Sequence, residues 1–123
     1  MASPVTIADD SMLSRKTVRK ALPPEWDIEL TEACNGKEAL AAVAAGKAEV
    51  LFLDLTMPEL DGYSLVQEIR RSSDIADTYV LLHTSLDSTM NTEKAQAVGA
   101  NDVLTKFSTV DLSKALVRAF ETL

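Results

Sequence analysis

The sequence predicts a single α/β domain in which parallel strands alternate with helices, and three observations carry that reading. Short apolar segments are followed in turn by amphipathic runs of helical period, repeated along the chain. The loops between them are short, so the units read as successive βα crossovers, which are right-handed and leave their strands parallel. The stretch Val50 to Gly62, VLFLDLTMPELDG, then sets four apolar residues before a carboxylate, Asp54. That is the pattern of a central strand buried on both faces that delivers one acid to its carboxyl end, where open α/β sheets collect ligands.

Composition narrows the function classes. A chain of 123 residues with 46% hydrophobic and 25% charged residues has the make-up of one ordinary globular domain, not of a disordered or membrane protein. The formal charge of -7, from 19 acids and 12 bases, argues against direct nucleic-acid binding, because no excess of positive charge exists to displace counterions. Cys34 is the only cysteine, which excludes an intrachain disulfide and a thiolate zinc site. It is expected to pack as a small hydrophobe near a strand end. No apolar run approaches the roughly 18 residues of a spanning helix and no secretory pattern opens the chain, so a cytoplasmic domain without membrane insertion is expected.

Taken in order, Pro4 to Ala8 forms strand one and stops at Asp9-Asp10. Ser14, Thr17, Val18, Ala21 and Leu22 then repeat at helical spacing, with Arg15, Lys16, Arg19 and Lys20 on the wet side. Ser11 is the expected cap and Pro23-Pro24 the terminator. Trp26 to Ala33 alternates as strand two, with Ile28 and Leu30 inward. Asn35-Gly36 turns the chain into an alanine-rich helix, Lys37 to Ala45, closed by Gly46. After the central strand and the turn at Asp61-Gly62, Leu65, Val66 and Ile69 outline helix three, with Glu68, Arg70 and Arg71 outside. Thr78 to His83 is strand four, ending in Thr84-Ser85, and His83 is expected to be a neutral residue packed near that end. The polar segment Asp87 to Val98 makes a weakly anchored helix four. Asp102 to Thr105 is strand five, delivering Lys106, and Leu112, Ala115, Leu116, Ala119 and Phe120 mark a final amphipathic helix.

Strands one, three, four and five thus end in Asp9-Asp10, Asp54, Thr84-Ser85 and Lys106. Strand two carries no such group, which places it at an edge. Alone, Asp9-Asp10 reads as an acid pair at a helix start and Asp54 as a strand-end residue satisfying loop amides. Together the three carboxylates would repel one another and imply a bound cation, for which carboxylate oxygens suit magnesium. Lys106 and Thr84 beside it supply a point charge and a hydrogen-bond donor for phosphoryl oxygens, leaving Asp54 as the nucleophile that forms an acyl phosphate.

The acid pair, DLTMPELDG with Asp54, the strand-end Thr84 and TKF with Lys106 together resemble the receiver domain of bacterial response regulators, across residues 1–123 as one receiver domain. The resemblance implies a flavodoxin-like (βα)5 three-layer sandwich with parallel sheet order 2-1-3-4-5. It implies a Mg2+ cofactor held by the Asp10 and Asp54 carboxylates and the Thr56 backbone carbonyl, with Asp9 holding a coordinated water. Asp54 becomes the phosphoacceptor, and Thr84 and Lys106 contact the phosphoryl group in a self-catalysed phosphorylation and dephosphorylation. CNGKEAL, HTSLDSTMN and VGANDVLTKF look most like the receiver of chemotaxis coupling proteins, which implies a histidine kinase of the chemoreceptor-coupled kind as partner and a downstream protein or attached domain outside this chain.

Departures from the family pattern are specific. Phe107 replaces the proline that usually follows the lysine, and a cis bond before a non-proline residue costs about 2.5–4 kcal/mol. Val103 stands where a switch aromatic is usual, so switching would rest on backbone movement. Thr56 and Leu86 hold the positions that tune acyl-phosphate hydrolysis, without a carboxamide or carboxylate. A haloacid-dehalogenase-like phosphatase lacks support, since Leu55 and Thr56 follow Asp54 without a second acid, and no G-x-G-x-x-G suggests a dinucleotide site. A receiver fold acting as a phosphate sink or as an interaction module without phosphorylation-driven switching stays open as the alternative.

Overall fold

The computed structural model describes residues 2–55, 57, 61–84, 92–105 and 109–122. Its elements alternate throughout: β1 (Ser3–Ala8), α1 (Met12–Ala21), β2 (Ile28–Ala33), α2 (Gly36–Ala44), β3 (Val50–Asp54), α3 (Gly62–Arg71), β4 (Tyr79–Thr84), α4 (Thr92–Val98), β5 (Asp102–Thr105) and α5 (Thr109–Thr122). All strand pairs are parallel, in the order β2-β1-β3-β4-β5. The (βα)5 flavodoxin-like reading therefore holds, with β2 at an edge. Because the chain steps from β1 outward to β2 and then back past β1 to β3, right-handed crossovers put α1 and α2 on opposite faces. That reversal between β1 and β3 opens the crevice where doubly wound sheets bind ligands.

Every residue of β3 is buried. The pleat sends Val50 and Phe52 to one layer, with Val18 of α1 and Leu112, Ala115, Leu116 and Ala119 of α5. It sends Leu51 and Leu53 to the other, with Ala39 and Val43 of α2, Leu65, Val66 and Ile69 of α3 and Ala95 of α4. A strand covered on both faces has no polar alternation to show, which is why VLFL reads as a continuous apolar run.

Local chemistry sets the helix ends. Ser11 caps α1 by accepting from the Ser14 amide at 3.2 Å, and Asn35 caps α2 by accepting from Glu38 N at 2.8 Å. At the end of α2, Gly46 takes φ 78°, while its amide donates to Val43 O and that of Lys47 to Ala42 O, both at 3.0 Å. Gly62 opens α3 for a different reason: a Cβ there would lie 2.9 Å from Leu55 Cα, so only glycine allows the helix to start against the end of β3.

Three expectations change. Trp26 lies before β2, its ring 4.6 Å from Phe120 of α5, because the aromatic pair covers the sheet edge where a strand residue would point alternately away. Cys34 is exposed instead of packed, with its thiol donating to Glu38 at 3.2 Å, since it falls one residue beyond β2 in the loop capping α2. Arg15 and Arg70, assigned to wet faces, are both partly buried and hydrogen-bonded. Helix four is helical over Thr92–Val98 as expected, and 87–91, where its start is expected, lie outside the described residues.

Candidate functional site

Strand register brings the acids together. Ala8 pairs with Leu53, so one further step along each strand sets Asp9 beside Asp54, and Asp54 itself pairs with His83 of β4. One carboxylate oxygen from each of Asp9, Asp10 and Asp54 lies within 4.8 Å of the others. Asp9 and Asp54 are buried, at 3% and 7% exposure, while Asp10 is exposed at the rim.

Among the described residues, the electrostatics are those of gathered carboxylates. Burial pushes the Asp9 carboxyl up to about 7, against the lowering effect of the Ser11 amide, which donates to Oδ1 at 2.9 Å. The charge of Asp54, a hydrogen bond with it and the charge of Asp10 raise it further. The buried oxygens of like charge within reach of one another match a hard divalent cation, and the residues present therefore fit magnesium.

Beneath the acids, His83 is 2% exposed, and burial lowers its pKa to about 3, so it is a neutral imidazole as expected. Its ring packs at a tilt of 39° against Phe52 with centroids 4.2 Å apart, and Nε2 lies 3.9 Å from Asp9 Oδ2. That proximity to Asp9 was not foreseen from the sequence; only strand pairing reveals it. Among the other expected site residues, Thr84 ends β4 next to Thr105 of β5. Its side chain, Thr56, Lys106, Phe107 and Leu86 lie outside the described residues. Val103 is half-buried on β5 against the α2–α4 layer.

A side chain beside the site that the sequence did not mark is Arg15. Its guanidinium reaches over the β1–α1 loop and donates from Nη1 to the Asp9 carbonyl at 2.7 Å. A basic residue in a helical run carries no sequence signal for such a contact.

The response regulator receiver domain family matches residues 5–118. The chain belongs to that family. Among proteins it resembles, Protein PilG of Pseudomonas aeruginosa is 33% identical over 113 residues, covering 91% of this chain and 83% of PilG. The probable transcriptional regulator ycf27 of Cyanidium caldarium is 32% identical over 120 residues, covering 94% of this chain and 47% of ycf27. In structure the receiver resembles the chemotaxis response regulator CheY4 of Vibrio cholerae, with TM-score 0.80, 33% identity and coverage of 97% and 99%. The chain thus spans about half of ycf27, and 28% of the Vibrio vulnificus protein-glutamate methylesterase that it also matches. The Asp9, Asp10 and Asp54 cluster is the magnesium site of a receiver domain, suited to magnesium-dependent phosphorylation and conformational switching.

Proposed function

We propose that this receiver takes a phosphoryl group from the phosphohistidine of a kinase onto Asp54 and thereby alters a partner-binding face. The observation that carries the reading is the meeting of three carboxylates within 4.8 Å at the end of a fully buried strand. Asp10 and Asp54, with the Thr56 carbonyl, would hold magnesium, and Asp9 would hold a water on it. When bound, the ion supplies positive charge that offsets the carboxylates and the charge on the phosphoryl oxygens.

Asp54 is the nucleophile: its carboxylate oxygen bonds to phosphorus as the bond from phosphorus to the imidazole nitrogen breaks, leaving an acyl phosphate. Burial of β3 holds that carboxylate in one place and limits competing water. Lys106 neutralises a phosphoryl oxygen and the Thr84 hydroxyl donates to another. Movement of Thr84 then shifts the neighbouring α4, β5 and α5 face, through backbone displacement because Val103 has no ring to swing. The likeness to CheY4 supports a kinase of the chemotaxis kind and a cytoplasmic setting. The remaining protein partner, or an attached domain, lies outside this chain.

Incubation with magnesium and acetyl phosphate followed by intact-mass measurement is expected to add one phosphate, and Asp54→Asn to abolish it. Labelling that persists in the variant removes Asp54 as acceptor. Amide exchange with beryllofluoride is expected to change in 92–105 as well as around Asp9 and Asp54. Changes confined to the acids favour the phosphate-sink reading, which the valine at 103 makes physically reasonable.

A further inference from the structure

We infer that Arg15 is a positioning residue for the cation site, acting through the main chain of Asp9; the inference rests on the reading of Asp9, Asp10 and Asp54 as a magnesium site. Arg15 lies on the first turn of α1, and its side chain is only 16% exposed. Nη1 donates to the Asp9 carbonyl at 2.7 Å, and Nε donates to Glu32 Oε1 of β2 at 3.0 Å. Glu32 Oε2 is taken by Arg19 Nη1, also at 3.0 Å. The guanidinium is therefore anchored on its far side to the edge strand while it grips the loop that carries both acids.

Besides its bond with Asp54, Asp9 is held from three directions. Its amide donates to Ala33 O at 3.0 Å, its Oδ1 accepts from Ser11 N at 2.9 Å, and its carbonyl accepts from Arg15. The first two contacts belong to the main chain or to the acid itself. The third comes from a side chain that can be changed without altering the acids. The Asp9 carbonyl lies in the same planar peptide unit as the Asp10 amide, so holding that oxygen fixes the plane from which the Asp10 side chain departs. Asp10 is exposed at the rim and gains no packing from the core, so the direction of its carboxylate depends on this plane.

Charge and geometry act in opposite senses here, which makes the inference testable by sign. A guanidinium on the loop that carries Asp9 and Asp10 repels a cation, so if charge dominated, removing Arg15 would tighten magnesium binding. If positioning dominates, removing it lets the Asp9–Asp10 peptide rotate and weakens binding. Loss of a partner that orients a metal ligand typically lowers affinity about 10–100-fold.

Calorimetric titration of the full chain with magnesium alone is the test. Arg15→Ala is expected to weaken binding about tenfold or more, Arg15→Lys to recover part of the loss, and Glu32→Gln to weaken it less because it frees only the far anchor. In Arg15→Ala, the Asp10 and Ser11 amide resonances are expected to move, and phosphorylation by acetyl phosphate is expected to approach the parent rate at saturating magnesium. Unchanged or tighter binding by folded Arg15→Ala overturns the inference, as does unchanged affinity in Glu32→Gln should the alanine variant not fold. Absence of magnesium binding by the parent chain instead overturns the reading of the site.

Discussion

The two ends of the sheet treat charge in opposite ways. Near the amino end of β4, Arg70 is surrounded by acceptors: Gly99 O at 3.0 Å, Ala76 O and Thr78 O at 2.7 Å each, and Asn101 Oδ1 at 2.6 Å. Asn101 Oδ1 also accepts from Val80 N at 2.8 Å, so one guanidinium ties together α3, the loop before β4 and the α4–β5 turn. At the carboxyl end, Asp9 and Asp54 are buried beside a charge of their own sign and near a neutral imidazole. A charge with matched acceptors is a brace; gathered buried carboxylates suit a cation. The same fold uses the first to hold its shape and leaves the second for chemistry.

The largest effect is expected from breaking the brace. Arg70→Ala strands several carbonyls and the Asn101 side chain, and should destabilise the domain by about 3 kcal/mol, read as a lowered denaturation midpoint with magnesium affinity little changed. A comparable loss of magnesium affinity would mean the two ends are not separate in function.

The carboxyl end should show the contrast as pH dependence in metal-free protein. For Asp9 the folded value of about 7 lies above the ordinary 3.8, so the folded state keeps a proton that the unfolded chain has released. Stability from this group therefore falls as pH rises between those values. For His83 the folded value of about 3 lies below 6.5, so the unfolded chain takes up the proton first and stability rises with pH over that range. The two slopes oppose each other between about pH 4 and 6.5. Asp9→Asn should uncover the rising limb and His83→Gln the falling one, each up to about 4 kcal/mol by denaturant titration. Magnesium should flatten the Asp9 limb, because it stabilises the ionised carboxylate. Parallel profiles for both variants would show that these groups do not carry the dependence.

Least is expected at Cys34. It is exposed, and its thiol bonds the neighbouring Asn35 and Glu38 at the start of α2, so Cys34→Ala should change stability by less than about 0.5 kcal/mol. A larger change would show that the loop after β2 contributes to the carboxyl end.

Much of this was legible before any coordinates. VLFL followed by Asp54 marked the central strand, because burial on both faces removes polar alternation. Ser11 marked a helix start and Gly46 a helix end through capping chemistry that acts over a few residues. Asp9, Asp10 and Asp54 were recognisable as a set because each falls at the end of an apolar run, and parallel strands align their ends. Arg15 and Arg70 were misread for the converse reason. A basic residue in an amphipathic run looks solvent-facing, and a long side chain can turn from that position to acceptors many residues away.

By itself, then, the sequence determined the alternation of strands and helices, the buried strand and the acids at its end, all of which depend on neighbours along the chain. Only the tertiary structure decided that His83 lies 3.9 Å from Asp9, that Arg15 grips the Asp9 carbonyl and that Arg70 joins three segments. Those contacts depend on strand register and helix packing, which bring together groups whose separation in sequence carries no periodic signal.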